Sequence, residues 1–200
     1  MLGRMTDAPA TERVASPAGD LAGLADLTAA EASAFLTAVT EVASGTSPAT
    51  ALPLLSLALS QVSLAGARLG AVEDVVPTER FEPDAGADDD ADPLRLGLSN
   101  ALAGIDDYVY VIDPVTSGER GQGSISGDVA DIALALSHGL RHYSAGRPLE
   151  ALWWWQFSYL SEWGDRALGA LRALHSILGH LRLDADEETV GEAEFDALHP

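Results

Sequence analysis

The chain has 200 residues, a formal net charge of −20, and neither cysteine nor lysine. Its length suits one domain with a single hydrophobic core. The lack of cysteine excludes disulfides and thiolate chemistry, and the charge opposes direct binding to phosphate backbones or anionic membrane surfaces. We therefore predict one cytoplasmic domain that binds neither nucleic acid nor membrane directly.

The first helix is predicted to begin at Thr28. Residues 1–25 contain few large apolar side chains, which predicts a disordered lead without the apolar core of a signal peptide. Thr28 and Glu31 then form a capping-box pattern, and apolar residues recur at helical spacing from Phe35 to Val42. The helical domain should accordingly cover residues 26–184.

A second helix is predicted from Ser47 and Pro48, a cap residue followed by a proline at the first helical position. No charge occurs between Val42 and Ala67, which is long enough for a membrane span. A polar stripe at helical spacing nevertheless follows the start, formed by Ser56, Ser60 and Ser63. The stripe favours a core helix over a membrane span.

An acidic loop, residues 73–93, should separate the second helix from the third. Asp92 and Pro93 repeat the cap-and-proline start, and apolar residues continue at helical spacing from Leu94 to Val109. A third helix is therefore predicted over this stretch.

The segment from Tyr108 to Ile112 has the composition of a strand, so both helix and strand remain open there. A glycine-rich loop, residues 113–127, follows it. Strand, glycine loop and helix suggest a phosphate cradle, but the glycine spacing matches neither nucleotide-binding fingerprint. We predict a flexible connection instead.

Three further helices are predicted, followed by an acidic tail at residues 185–200. Ser126 should cap the fourth helix, and Gly146 should end it. The fifth begins at Pro148, and Gly164 either kinks it or divides it from the sixth. The whole pattern predicts an all-α, single-domain antiparallel bundle of about six helices.

The fourth and fifth helices share spacing with a tetratricopeptide unit. The matching positions are Gly139, Gly146, Glu150, Ala151 and Trp155. No second copy lies 34 residues away, although such arrays need at least three repeats. This predicts a lone tetratricopeptide-like hairpin in the C-terminal half.

The predicted fifth helix is rich in aromatic residues, with three consecutive tryptophans. Successive helical side chains point ~100° apart, so the three rings cannot all face one neighbour. Trp153 and Trp163 fit the apolar face and should be core. We take the remaining aromatic and charged residues as the candidate binding surface: Trp154, Trp155, Tyr159, Glu162, Arg166 and His175. The nearest expected partners of Gln156, Glu162 and Asp165 are arginines, in a structural salt bridge.

His138 and His142 have the i, i+4 spacing of two metal-binding imidazoles. No glutamate follows His138, and a third ligand would have to come from Asp128, Asp131 or another helix. Solvent-facing or capping histidines are the preferred interpretation. We predict no metal, no cofactor and no catalytic residue.

These residues together resemble an actinobacterial branch of the domain-of-unknown-function family 5063. The resemblance covers roughly residues 28–184 and is carried above all by Gly146 and Arg147 with the Trp-rich segment 150–164, and by residues 170–184. It implies an all-α domain and no particular chemistry.

Three functions remain open. The leading hypothesis is a protein-interaction or adaptor module that uses the aromatic and arginine-containing hairpin to bind a protein partner. The second is a small-molecule-binding protein or enzyme with a pocket beside the Trp-rich helix. The third is an acidic decoy for a nucleic-acid-binding partner. Without a catalytic signature, the first hypothesis is preferred over an enzyme.

Overall fold

The computed structural model describes residues 17–77 and 89–183. Within them the chain forms six α-helices and two short strands. In chain order these are α1 (Pro17–Ala43), α2 (Pro48–Gly70), α3 (Asp92–Ala101), β1 (Asp107–Val111), β2 (Arg120–Ser124), α4 (Ile125–Ser144), α5 (Pro148–Ser158) and α6 (Gly164–Leu183). The predicted all-α class is confirmed.

The first helix begins earlier than predicted. α1 starts at Pro17, so residues 17–25 are helical rather than disordered, while residues 1–16 lie outside the described residues. Thr28 does not cap a helix start, because it is buried inside α1 and its hydroxyl donates to the Leu24 carbonyl 2.8 Å away. Ala25 is also fully buried, so packing extends the helix through the apparent cap.

α2 begins at Pro48, as predicted. By length and composition alone it could cross a membrane, and it is the one helix of the described residues that meets those criteria. Leu55, Leu59, Val62 and Leu69 are nevertheless buried, and α2 packs against α1 and α6. This is the arrangement of a core helix.

The third helix is shorter than predicted. α3 ends at Ala101, and the chain forms β1 where the helix was expected to continue to Val109. The glycine-rich loop is also not wholly irregular, because it contains β2, which pairs antiparallel with β1. The cap of α4 is Ser124 rather than Ser126, since the Ser124 hydroxyl accepts the Gly127 N–H at 3.1 Å.

α4 and α5 form the predicted hairpin, with Gly146 in the left-handed conformation (φ 76°) at the turn. α5 does not end before α6, because a π-helical turn, Tyr159–Trp163, joins them into one continuous helix. At its end the Gly164 N–H bonds the Tyr159 carbonyl, five residues back. Leu160, within this turn, is exposed.

The helices enclose one hydrophobic core. α1 contacts α2, α3, α4 and α5, while α6 packs against α2 and α4. The largest fully buried side chains come from five of the helices and include Leu55, Leu98, Ile132, Trp155 and Leu174. The two-stranded sheet lies beside this core, with its outward-facing residues exposed. Much of the predicted acidic loop (residues 78–88) and the acidic tail lie outside the described residues.

Candidate functional site

The three consecutive tryptophans occupy three different environments. Trp155 is fully buried, and its indole N–H donates to the Leu136 carbonyl at 3.2 Å. Its ring lies so close to Gly139 that a Cβ there would fall 2.0 Å from the indole nitrogen. Trp155 is therefore a core residue and not part of a binding surface, while Trp153 is only partly buried, against the prediction that it is core.

Trp154 of α5 packs against α4 and is partly buried. Its indole N–H donates to the Ala135 carbonyl at 2.9 Å, and its ring centroid lies 4.1 Å from that of His138. Trp163 is buried, as predicted, and its indole N–H donates to the Ser158 hydroxyl. Trp154 and Trp155 thus attach α5 to α4.

The remaining candidate residues do not form one site. Tyr159 packs on α2, where its ring leaves no room for a side chain at Gly66, and its centroid lies 4.8 Å from that of Trp163. His175 is exposed on α6. Of the six candidates, Glu162 and Arg166 line one large cavity.

That cavity is a groove of about 1060 Å³ between β1 and α6, hereafter the β1–α6 groove. Its walls carry two tyrosines, three arginines and an exposed leucine: Tyr108, Tyr110, Arg120, Arg166, Leu168 and Arg172. A second, smaller cavity of about 390 Å³ lies beside the stacked rings of Trp153 and Phe157. The β1–α6 groove is the better candidate because it combines apolar walls with charged and hydroxyl groups.

A hydrogen-bonded network forms one side of the β1–α6 groove. The Tyr108 hydroxyl donates to Asp128 at 2.6 Å, and Arg166 binds Asp128 at 3.1 Å and Asp131 at 3.2 Å. Arg95 approaches Asp131 from α3. The network ties β1, α3, α4 and α6 together, so the walls of the groove are held in fixed positions.

Burial sets the protonation behaviour of this network. It raises the pKa of the Asp128 carboxyl, and the hydrogen bonds from Tyr108 and Arg166 oppose that rise. Burial raises the pKa of the Tyr108 phenol well above its usual value, and the hydrogen bond to Asp128 raises it further. Tyr108 is therefore a neutral donor, which suits it to positioning rather than proton transfer at neutral pH.

The prediction that Gln156 has an arginine partner is wrong. The carboxamide of Gln156 binds backbone instead: its oxygen accepts the Val75 N–H at 2.7 Å, and its nitrogen donates to the Leu69 carbonyl at 2.9 Å. Glu162 does approach Arg166, at 3.7 Å. Gln156 thus fixes the loop after α2, and the salt bridges of Arg166 belong to the groove.

The wall that β1 contributes to the groove was not predicted from the sequence, and neither was β2, its pairing partner. Tyr108 pairs with Gly123 and Tyr110 with Gly121, and each ring covers the glycine opposite. The signal was present as Tyr-x-Tyr and Gly-x-Gly at equal spacing, which suits aromatic rings packed across bare backbone.

His138 and His142 lie together, with ring centroids 5.1 Å apart. Across residues 17–77 and 89–183, no group of three His, Cys, Asp or Glu side chains is placed to hold a metal ion.

The arrangement of these residues as a whole offers a binding groove whose walls are held in fixed positions.

Comparison with known proteins identifies the family of the chain. The model of the domain of unknown function family DUF5063 matches residues 20–180. The crystal structure of protein BF1032 from Bacteroides fragilis superposes with a TM-score of 0.61 at 19% identity, over 80% of this chain and 92% of that one, which shows a shared fold alone. A comparison with curated proteins found no match. Because the family model spans most of its length, the chain belongs to the DUF5063 family.

Proposed function

We propose that this chain is a protein-interaction module whose partner binds in the β1–α6 groove. The observation that carries the proposal is that two exposed apolar residues line this groove, Val109 of β1 (64% exposed) and Leu168 of α6 (56%). Exposed apolar residues gathered around a concave surface, with polar groups beside them, are typical of a site that another molecule covers.

The charged residues of the groove support the same function. Arg120 and Arg172 line it and make no ion pair with any residue that the structure describes. Arginine is enriched at interfaces because its planar guanidinium makes several hydrogen bonds while its stem packs on apolar surface. We therefore assign the interaction surface to the groove rather than to the tryptophans, and of the predicted surface residues Glu162 and Arg166 lie in it.

The composition supports an actinobacterial source and a cytoplasmic location. All eleven basic residues other than histidine are arginine, the chain is rich in alanine, and cysteine is absent. An actinobacterium is therefore the host in which to seek the partner.

The experiment compares two leucines that are equally exposed. Leu168 lines the groove, whereas Leu57 lies on α2 outside it, and each is 56% exposed. Tagged wild-type chain, Leu168→Glu and Leu57→Glu are expressed in the host, and the captured proteins are quantified by mass spectrometry. We expect a stoichiometric partner with wild type and Leu57→Glu that is lost with Leu168→Glu. Equal capture by all three, or no stoichiometric protein with any, refutes the proposal.

A small-molecule-binding function is the second candidate, favoured by the Tyr108–Asp128–Arg166 network at the side of the groove. Native mass spectrometry of the same purified samples tests it. A bound metabolite present in wild type and absent in Leu168→Glu, with no protein partner, would support this alternative.

A further inference from the structure

The hydrogen-bonding pattern of the two strands shows which backbone groups of β1 face away from β2. The Ile112 N–H donates to the Glu119 carbonyl, and the Ile125 N–H to the Asp106 carbonyl, each at 2.9 Å. In an antiparallel pair the hydrogen-bonded positions alternate, so the register assigns even-numbered β1 residues to β2. The N–H and C=O groups of Asp107, Val109 and Val111 therefore point outward.

This outer edge of β1 is unpaired and faces the groove. No residue that the structure describes hydrogen-bonds the backbone of Asp107, Val109 or Val111. All five residues of β1 line the groove, whereas Arg120 is the one β2 residue that does so. The groove thus has an open strand edge on one side and α6 on the other.

We propose that the partner enters the groove as an extended segment that adds to β1 as a third strand; this inference rests on the proposed function. Outward-facing groups recur at every second residue of a strand, ~6.6 Å apart, a spacing that another extended chain matches. Alternate side chains of the segment then point toward α6, where Leu168, Ala173 and Ile177 line the groove. The segment should carry apolar residues at alternate positions.

The charge of the protein indicates which charged side chains the added segment should carry. The groove lining is close to neutral, because three arginines balance most of four acidic residues, Asp107, Asp128, Glu162 and Asp165. The long-range field is therefore that of the whole chain, whose net charge is −20. Such a field concentrates cationic segments and repels acidic ones, including a second copy of this chain. The occupant is a positively charged extended segment.

The register supplies a matched pair of variants. Val109→Pro removes an N–H that points into the groove, and Gln122→Pro removes the N–H of its cross-strand partner, which points away on the other edge. Neither substitution removes a bond between β1 and β2, and proline is tolerated on strand edges that face solvent. Circular dichroism and thermal unfolding verify that both variants are folded.

The probe is a ten-residue peptide amide of alternating valine and threonine with two lysines at each end, labelled with tetramethylrhodamine so that the dye does not cancel its positive charge, and its binding is followed by anisotropy at 0.15 M salt. We expect saturable binding that Val109→Pro weakens by about ten-fold, while Gln122→Pro leaves it within about two-fold. Two further peptides, N-methylated at either the odd or the even positions, remain informative even if Val109→Pro unfolds. One of the two should lose binding, because only alternate amides face β1.

Several results overturn the inference. These are equal affinity of Val109→Pro and wild type, equal binding of both N-methylated peptides, or no saturation below about 1 mM. A concentration-dependent dimer that Val109→Pro abolishes and the peptide does not disrupt would assign the edge to a second copy instead. If Val109→Pro retains the cellular partner that Leu168→Glu loses, the groove function stands and strand addition fails.

Discussion

Replacing Gln156 with leucine should destabilise the fold far more than its mid-helix position suggests. The side chain is buried, and its carboxamide satisfies the Val75 N–H and the Leu69 carbonyl of the last turn of α2. Leucine has a similar volume but offers neither donor nor acceptor, so it leaves both backbone groups buried without a partner. Each such group costs ~1–3 kcal/mol. For the two groups together we expect Gln156→Leu to lower the free energy of unfolding by about 2 to 6 kcal/mol.

Equilibrium unfolding in urea measures this loss, with an unchanged slope showing that the same surface is exposed in the variant and in wild type. Gln61→Leu is the control, because Gln61 is also helical but exposed, and such substitutions change stability by less than about 0.5 kcal/mol. If Gln156→Leu and Gln61→Leu behave alike, the carboxamide does not hold the loop after α2 and the reasoning is wrong.

Two other predictions follow from burial and charge. Trp155→Ala should cost ~3–5 kcal/mol in urea unfolding and Trp153→Ala clearly less, because the Trp155 ring is fully buried; equal losses would contradict the assignment of Trp155 as the core ring. Burial raises the pKa of Tyr108, so its contribution to stability is complete below pH ~10 and lost as the pH rises toward the folded-state value. Tyr108→Phe should flatten the fall in melting temperature above pH ~10, and parallel melting curves for the two proteins would refute this.

Helix starts that depend on local chemistry could be read from the sequence. Proline lies within the first turn of α2, α3 and α5, where its missing N–H costs nothing because that group has no partner inside the helix. The apolar face of α4, from Val129 to Leu136, is likewise a local pattern that burial only confirms. These elements need no information from distant residues.

Elements that depend on a distant partner could not be read in this way. The capping-box pattern at Thr28 is overridden because Leu24, Ala25 and Thr28 pack against the core, so the helix continues through it. β1 remained ambiguous because its stability comes from β2, and β2 contains two glycines that have no strand propensity of their own. The rings of Tyr108 and Tyr110 supply the packing that those glycines lack.

The candidate site also has parts that local spacing determines and parts that depend on distant residues. The sequence alone determined that Trp153, Trp154 and Trp155 must face different neighbours, because ~100° separates successive helical side chains. Which ring is buried depends on where α4 passes, since Gly139 opens the space that Trp155 fills. The β1–α6 groove was decided only by tertiary structure. Its walls are far apart in the chain, and a long-range hydrogen bond from Tyr108 to Asp128 and the ion pairs of Arg166, rather than local spacing, hold them together.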